Sequence, residues 1–509
     1  MLPLDALSAA VVVSAALGMA RVALKPPFRR DLAALPQLRL GLAVAALGAV
    51  AVAVTLFLTV RWTLHASAVA AVVGFAFLWW RARPGYGQGR GWPAGSLGIG
   101  ASLDAIDNPR FYLEQAARYG PIFKMSQFGR PVLCVVGLSR GRALLQEHAS
   151  ALAGAALPYN RFAEKGLLRY MPRDQHREEG PLFRRAFSEA ALAEGEADAR
   201  RLLRTHLERA AEASARAPGG VDVRPFLGRW VIDVLADIMF GLRAGDARLD
   251  DLDRIQGSLQ LERSGGAAWR ASMERGLSDA TRILRALATA PRAPGAPPSV
   301  LDALVQAAPE TLEDEGRLRN LFLMFRLGAG DLMGTLAWVS YQLSANIPWQ
   351  DKVCHAGRVT GAPNGMQPGD LGTRVVLETL RLQQSEYLYR RVVKPMAYEG
   401  YQIPAGWILR ICVHESHRDP AIFPDPATFD PDRFLGRTLS KSEYATFGLD
   451  GHGCMGAAMV YFFGRILVEE LCAGYTIRTT QDGPLEHGTR HRHHWRPSHR
   501  WAIAVDRRS

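Results

Sequence analysis

"FGLDGHGCMG" (residues 447–456) is the stretch on which the reading of this 509-residue chain turns. It sets one thiol, Cys454, among four glycines, Gly448, Gly451, Gly453 and Gly456, with His452 two residues before the cysteine. Glycines let backbone N–H groups approach a sulfur without side chains in the way. Donors aimed at a sulfur stabilise its thiolate and tune whatever it binds. The apolar run 457–471 follows at once and reads as a helix. Its positive N-terminal end lowers the thiol pKa further. A thiolate prepared in this way is a metal ligand or a nucleophile. His452 is a candidate base for the nucleophile, and a structural cysteine in a turn is the plainest alternative.

The rest of the composition narrows the field. The five cysteines, Cys134, Cys354, Cys412, Cys454 and Cys472, are scattered and form no CxxC pair, which argues against a disulfide framework or a structural zinc site. A formal net charge of +12 points to anionic partners. No zinc-finger or basic-helix signature accompanies it, so lipid head groups or an acidic protein are expected and nucleic acid is not.

The N-terminal end has a different character. Residues 6–20, 40–60 and 66–80 are apolar runs, the second of spanning length. Only "RWTLH" (61–65) separates the second from the third, which predicts a tight helical hairpin. Lys25, Arg29, Arg30 and Arg39 precede the second run, and Arg81, Arg83 and Arg90 follow the third. The positive-inside rule then predicts two or three transmembrane helices within residues 1–82, with the main domain cytoplasmic. The glycine- and proline-rich stretch 83–100 reads as a hinge. Beyond it, 109–119 and 139–148 read as helices, and "IFKMSQFGRPVLCVVG" (122–137) as two short strands. Most of 175–290 has the 3.6-residue apolar period of amphipathic helices, and 321–345 is a long apolar helix.

Upstream motifs give the cysteine loop its context. "ETLR" (378–381) places Glu378 and Arg381 on one helix face at i,i+3 spacing. "HRDPAIFPDPATFDPDRF" (417–434) supplies Arg433, and "YQIPAGW" (401–407) reads as a strand and turn. In this order and at this spacing, the motifs resemble those of the cytochrome P-450 family of haem-thiolate enzymes, over roughly residues 83–509. The resemblance implies a mainly α cytochrome P-450 fold with small β-sheets in residues 101–509, preceded by the N-terminal membrane helices. It implies b-type haem, with Cys454 as the axial thiolate on iron. It further implies that His452, Arg390 and His176 contact haem propionates, with Arg391 as the fallback for Arg390. Phe447 would pack beside the sulfur, and Gly456 would belong to the haem-binding loop. Glu378, Arg381 and Arg433 would form a structural ion-pair cluster. The activity implied is that of a monooxygenase on a hydrophobic small molecule, such as a secondary metabolite, terpenoid, prenylated or lipid-like compound. A separate ferredoxin or flavoprotein reductase would supply electrons.

Three departures from the family pattern stand out. Asp450 replaces a usual glycine and reads as a turn or solvent-facing residue. Gly180 stands where a propionate-binding arginine is usual, beside Glu178 and Glu179. That predicts a propionate short of a partner, unless Arg184 or Arg185 compensates, and a less positive surface there. In "FRLGAGDLMGTLAW" (325–338), the family's acid–threonine pair is missing in either register. One register puts Gly330 and Asp331 at the two positions, so both are candidate catalytic positions. Asp331 itself is a candidate proton donor, and Gly328 and Gly330 would allow a close approach or a helix distortion. Two further readings stay open: an isomerase, lyase or cyclase acting on a pre-activated O–O or N–O substrate, and a haem-binding membrane protein without turnover. The histidine- and arginine-rich stretch 487–501 reads as a solvated basic region of strands and turns.

Overall fold

The computed structural model describes residues 61–82, 91–98, 110–127, 130–154, 173–187, 195–259, 267–291, 297–358, 369–383, 388–449, 453–487 and 495–508, with a few single positions between them. The apolar runs at 6–20 and 40–60, Asp450 and His452 lie outside the described residues. In chain order the elements used below are α1 (Arg61–Ala82), β1 (Ala94–Ser96), α2 (Phe111–Tyr119), β2 (Ile122–Gln127), β3 (Arg130–Val135) and α3 (Arg173–Ala186). Then come α4 (Glu196–Arg216), α5 (Arg224–Phe240), α6 (Glu315–Ala345), α7 (Leu371–Leu382) and β4 (Leu388–Val392). The last are β5 (Met396–Tyr398), β6 (Tyr401–Ile403), β7 (Ile408–Ile411), α8 (Ala457–Gly474), β8 (Tyr475–Gln481) and β9 (Ala502–Arg507).

The chain divides into two units, one of residues 1–135 and 392–410, the other of 136–391 and 411–509. In the first, "RWTLH" is not a turn. It is the opening of the 22-residue helix α1, since it holds no glycine or proline to break a helix. Val69, Val72, Val73 and Phe77 of α1 are exposed. The expected hinge is also partly ordered structure: Ala94–Ser96 pairs in parallel with Phe123–Met125. Gly95 has φ +118°, and a Cβ there would lie 2.1 Å from the Lys124 carbonyl oxygen. The glycine marks a close backbone approach rather than a flexible joint. β5 and β6 form a two-residue hairpin in which both Glu399 and Gly400 have positive φ, the geometry whose twist suits paired strands.

The second unit is mostly helical and holds one large apolar core. α5 packs against α4 and α6, while α8 packs against α6 and α7. Trp230 of α5 meets Phe463 of α8 edge-on at 5.1 Å. The antiparallel pair β8–β9 closes the C-terminal side. Among the described residues, α6 alone is long and apolar enough to cross a membrane, but 67% of its apolar window is buried inside the protein. It is the central core helix of this unit, and it runs unbroken past Gly328 and Gly330. No distortion occurs there: a Cβ on Gly328 would only come within 3.9 Å of Leu235.

Candidate haem-thiolate site

The site is built outward from a buried ion pair. On α7, i,i+3 spacing brings Glu378 and Arg381 together, both fully buried. Arg381 donates from Nε to Glu378 Oε2 at 2.7 Å and from Nη2 to Oε1 at 2.8 Å. Arg433 donates from Nε to the same Oε1 at 3.0 Å, as does the Asp430 amide. The remaining guanidinium hydrogens tie down the loop between β7 and the cysteine. Arg381 reaches the carbonyls of His417, Pro426 and Thr428, and Arg433 reaches that of Pro424. Buried charges are tolerable only when this fully paired.

The loop then leads to the thiol through short backbone bonds. The Ala445 amide donates to His417 Nε2 at 3.1 Å, and the Gly448 amide to the Ala445 carbonyl at 3.3 Å. The Cys454 amide donates to the Phe447 carbonyl at 2.8 Å. Gly448 has φ +104°, a left-handed conformation that requires glycine. Gly456 is different: its φ is −84°, and a Cβ there would sit 3.8 Å from the Cys454 sulfur, an ordinary contact. It serves as the N-cap of α8, which puts the sulfur beside the positive end of that helix. Phe447 packs edge-on against Tyr461 of α8 at 5.4 Å. Burial pushes the Tyr461 hydroxyl pKa well up, so the ring is neutral.

The other expected residues are placed as follows. His176 is half-buried on α3, and its ring lies over Gly180. A Cβ on Gly180 would come within 3.1 Å of that ring, so the glycine is the space that the imidazole needs. Arg184 and Arg185 are exposed. Glu179 does not make the surface less positive. It is 2% exposed and receives Arg317 of α6 through Nε at 2.8 Å and Nη2 at 3.1 Å. Glu178 is exposed. Arg390 on β4 is half-buried and donates to the Tyr389 carbonyl at 2.8 Å, whereas Arg391 is exposed. On α6, Gly330 is buried and Asp331 half-buried. The Thr335 hydroxyl bonds back to the Asp331 carbonyl at 3.0 Å, as a mid-helix threonine commonly does.

Sequence reasoning missed two features. His417 was quoted only as part of a motif, though its position at the head of that run was the available signal. The second is a buried charge cluster between α4 and α8. Arg200 donates to Glu196 at 2.6 Å and to Glu470 at 3.0 Å, and also reaches Glu469. Arg465 joins it through Glu196 at 3.0 Å. The spacing of these residues along the chain gives no hint of their meeting.

This donor set suits a haem. Cys454 is exposed, carries the soft ligand atom of its loop and sits at a helix N-terminus. Among the described residues no group of three His, Cys, Asp or Glu could hold a metal ion by itself. A single thiolate therefore fits an iron whose remaining ligands come from its own macrocycle. Arg390 and His176, the described basic residues expected at the macrocycle's carboxylates, are both half-buried.

Residues 370–465 match the family model described as Cytochrome P450, a span that contains both the ion-pair core and the cysteine loop. A Mycobacterium tuberculosis protein described as a cytochrome P450 135B1 is 30% identical over 186 residues, covering 35% of this chain and 39% of the relative. The abscisic acid 8'-hydroxylase CYP707A1 of Solanum lycopersicum is 39% identical over 85 residues, 16% of this chain and 18% of the relative. The chain thus matches well under half the length of these relatives. The solved structure of retinoic acid bound cyanobacterial CYP120A1 superposes with a TM-score of 0.65 at 19% identity, covering 80% of this chain and 96% of that one. That likeness is one of fold, mainly helical with small sheets. The matched segment falls on the cysteine loop and its ion-pair support, and the fold agrees: over residues 370–465 the chain matches the cytochrome P450 family, whose members bind haem iron.

Proposed function

We propose that the protein is a haem-thiolate monooxygenase acting on a hydrophobic small molecule. The observation that carries this reading is the Cys454 thiol, held by its own amide on the Phe447 carbonyl at the start of α8. Bound haem supplies redox chemistry at an iron that thiolate donation makes electron-rich. The chain's own residues do the rest. Cys454 holds the iron, and Arg390 and His176 orient the group through its carboxylates, with His452 in the same role. Asp331 holds and delivers a proton at its carboxylate, with Gly330 beside it leaving room on the helix face. Electrons come from a separate ferredoxin or flavoprotein reductase. Residues 1–82 anchor the protein in a membrane with the haem domain, 101–509, on the cytoplasmic side. The apolar runs, their flanking basic residues and the exposed valines of α1 support this placement. An apolar, membrane-partitioned substrate follows from that location. The relative named for abscisic acid and the neighbour solved with retinoic acid support the same class of compound.

A second reading has one observation in its favour. The threonine nearest Asp331, Thr335, spends its hydroxyl on the helix backbone, so no acid–alcohol pair is displayed on α6. An isomerase, lyase or cyclase working on a substrate that already carries an activated O–O or N–O bond needs no such pair. Turnover of the purified full chain with dioxygen, reductant and a reductase, compared with turnover under anaerobic conditions without them, tests the proposal. Product formed only in the first case supports the monooxygenase, and equal product in both supports the second reading.

A further inference from the structure

His417 is fully buried, and its ring is polar where an apolar ring would pack as well. It stacks on Tyr444 at 5.0 Å with 20° between planes and meets Phe423 edge-on at 6.1 Å. Its Nε2 accepts the Ala445 amide, so the ring's proton sits on Nδ1. Nδ1 has no hydrogen-bond partner among the described residues. A buried donor left unsatisfied calls for an explanation, because a phenylalanine would keep the stack without that cost. The acceptor that the ring offers to Ala445 is that explanation.

The two ends of this contact are fixed. The His417 carbonyl is held by Arg381 at 3.0 Å, and the Tyr444 hydroxyl donates to the Leu377 carbonyl of α7 at 2.9 Å. Ala445 begins the turn whose next bonds are Gly448 to Ala445 and Cys454 to Phe447. We propose that His417 is a positioning residue for the thiolate: its ring acceptor, through the Ala445 amide, sets where the cysteine loop leaves the ion-pair core. This rests on the reading of Cys454 as the iron ligand. The ring must be neutral to accept. Burial, followed by the nearby Arg381 and Arg418 charges, pushes its pKa down to about 3. The groups around it are Arg381 and Arg418, with Glu378 beside Arg381 and Tyr444 on its face.

The test uses the full-length holoprotein. His417→Phe keeps the stack and removes the acceptor, while His417→Gln places an acceptor near Nε2. At equal haem content, His417→Phe is expected to lower the ratio of thiolate-ligated to thiolate-lost ferrous–CO complex about fivefold, the worth of one hydrogen bond. His417→Gln should recover most of it. The same ratio in His417→Phe as in wild type overturns the proposal. Should His417→Phe fail to fold, amide hydrogen exchange in the wild type decides. Strong protection at Ala445 supports the proposal, and exchange at the rate of an open loop overturns it. Cys454→Ser separates the two ideas. A thiolate spectrum that survives it sinks the ligand reading, whereas the exchange result at Ala445 bears on His417 alone.

Discussion

Gly448, His417 and Asp331 each carry a consequence that one substitution can expose. At Gly448 the positive φ is the reason for the residue, so Gly448→Ala should cost about 1–2 kcal/mol in chemical denaturation. Gly456, in an ordinary conformation, should tolerate alanine far better by the same measurement. His417 stays neutral in the folded protein down to about pH 3, while in the unfolded chain it takes up its proton near pH 6.5. The sign follows: its contribution is whole above about pH 6.5 and is lost as the pH falls toward 3, by up to about 1.4 kcal/mol per pH unit. Acid unfolding curves of wild type and His417→Phe should therefore converge as the pH drops into that window and then cross, with His417→Phe the more stable at its acid end. Asp331 is the residue-scale test of the proton route. Asp331→Asn should reduce oxygen-dependent turnover about 10²-fold or more and divert reductant to uncoupled products. Unchanged rate and coupling would remove Asp331 from that role.

At the scale of elements, α7 and the cysteine loop behave as one part. Glu378 is shared by Arg381, Arg433 and the Asp430 amide, and none of these contacts lies at the surface of α7. Glu378→Gln keeps the shape but leaves two guanidinium groups without their counter-charge. A loss of about 3–5 kcal/mol in stability is expected, measured by denaturant titration of the holoprotein. The sequence displayed this element well. The i,i+3 pair, the later arginine and the cysteine loop are local patterns whose residue types state their chemistry. Helix boundaries were also legible where apolar period and breakers agreed, as in α2, expected at 109–119 and observed at Phe111–Tyr119. Long-range partners were not legible. Nothing local shows that Glu179 meets Arg317 on α6. The stretch 83–100 misled for a related reason. Gly95 reads as flexibility in one dimension, yet in three it admits the Lys124 carbonyl of a neighbouring strand.

For the whole molecule, α1 bears on where the protein resides. α1 exposes Val69, Val72, Val73 and Phe77, four apolar side chains within three turns of a 22-residue helix. A contiguous patch of that kind is uncommon on a surface facing water. The full chain is expected to stay with the membrane fraction through high-salt and alkaline washes. Release by salt alone would mean that its +12 charge, rather than insertion, holds it there.

The charge cluster between α4 and α8 also constrains how this sequence can drift. Arg200, Glu196, Glu469, Glu470 and Arg465 are buried together, so losing one weakens the pairing of the others in the interior, although the half-exposed Arg204 and Arg358 also reach Glu470. Replacing the whole set by well-packed apolar residues is a different matter and is often neutral or stabilising. The five positions are therefore strongly epistatic: the viable alternatives lie several simultaneous changes away, and each intermediate step is worse than either end. A lineage of this chain should keep the cluster entire or have exchanged it entire, with few sequences caught between.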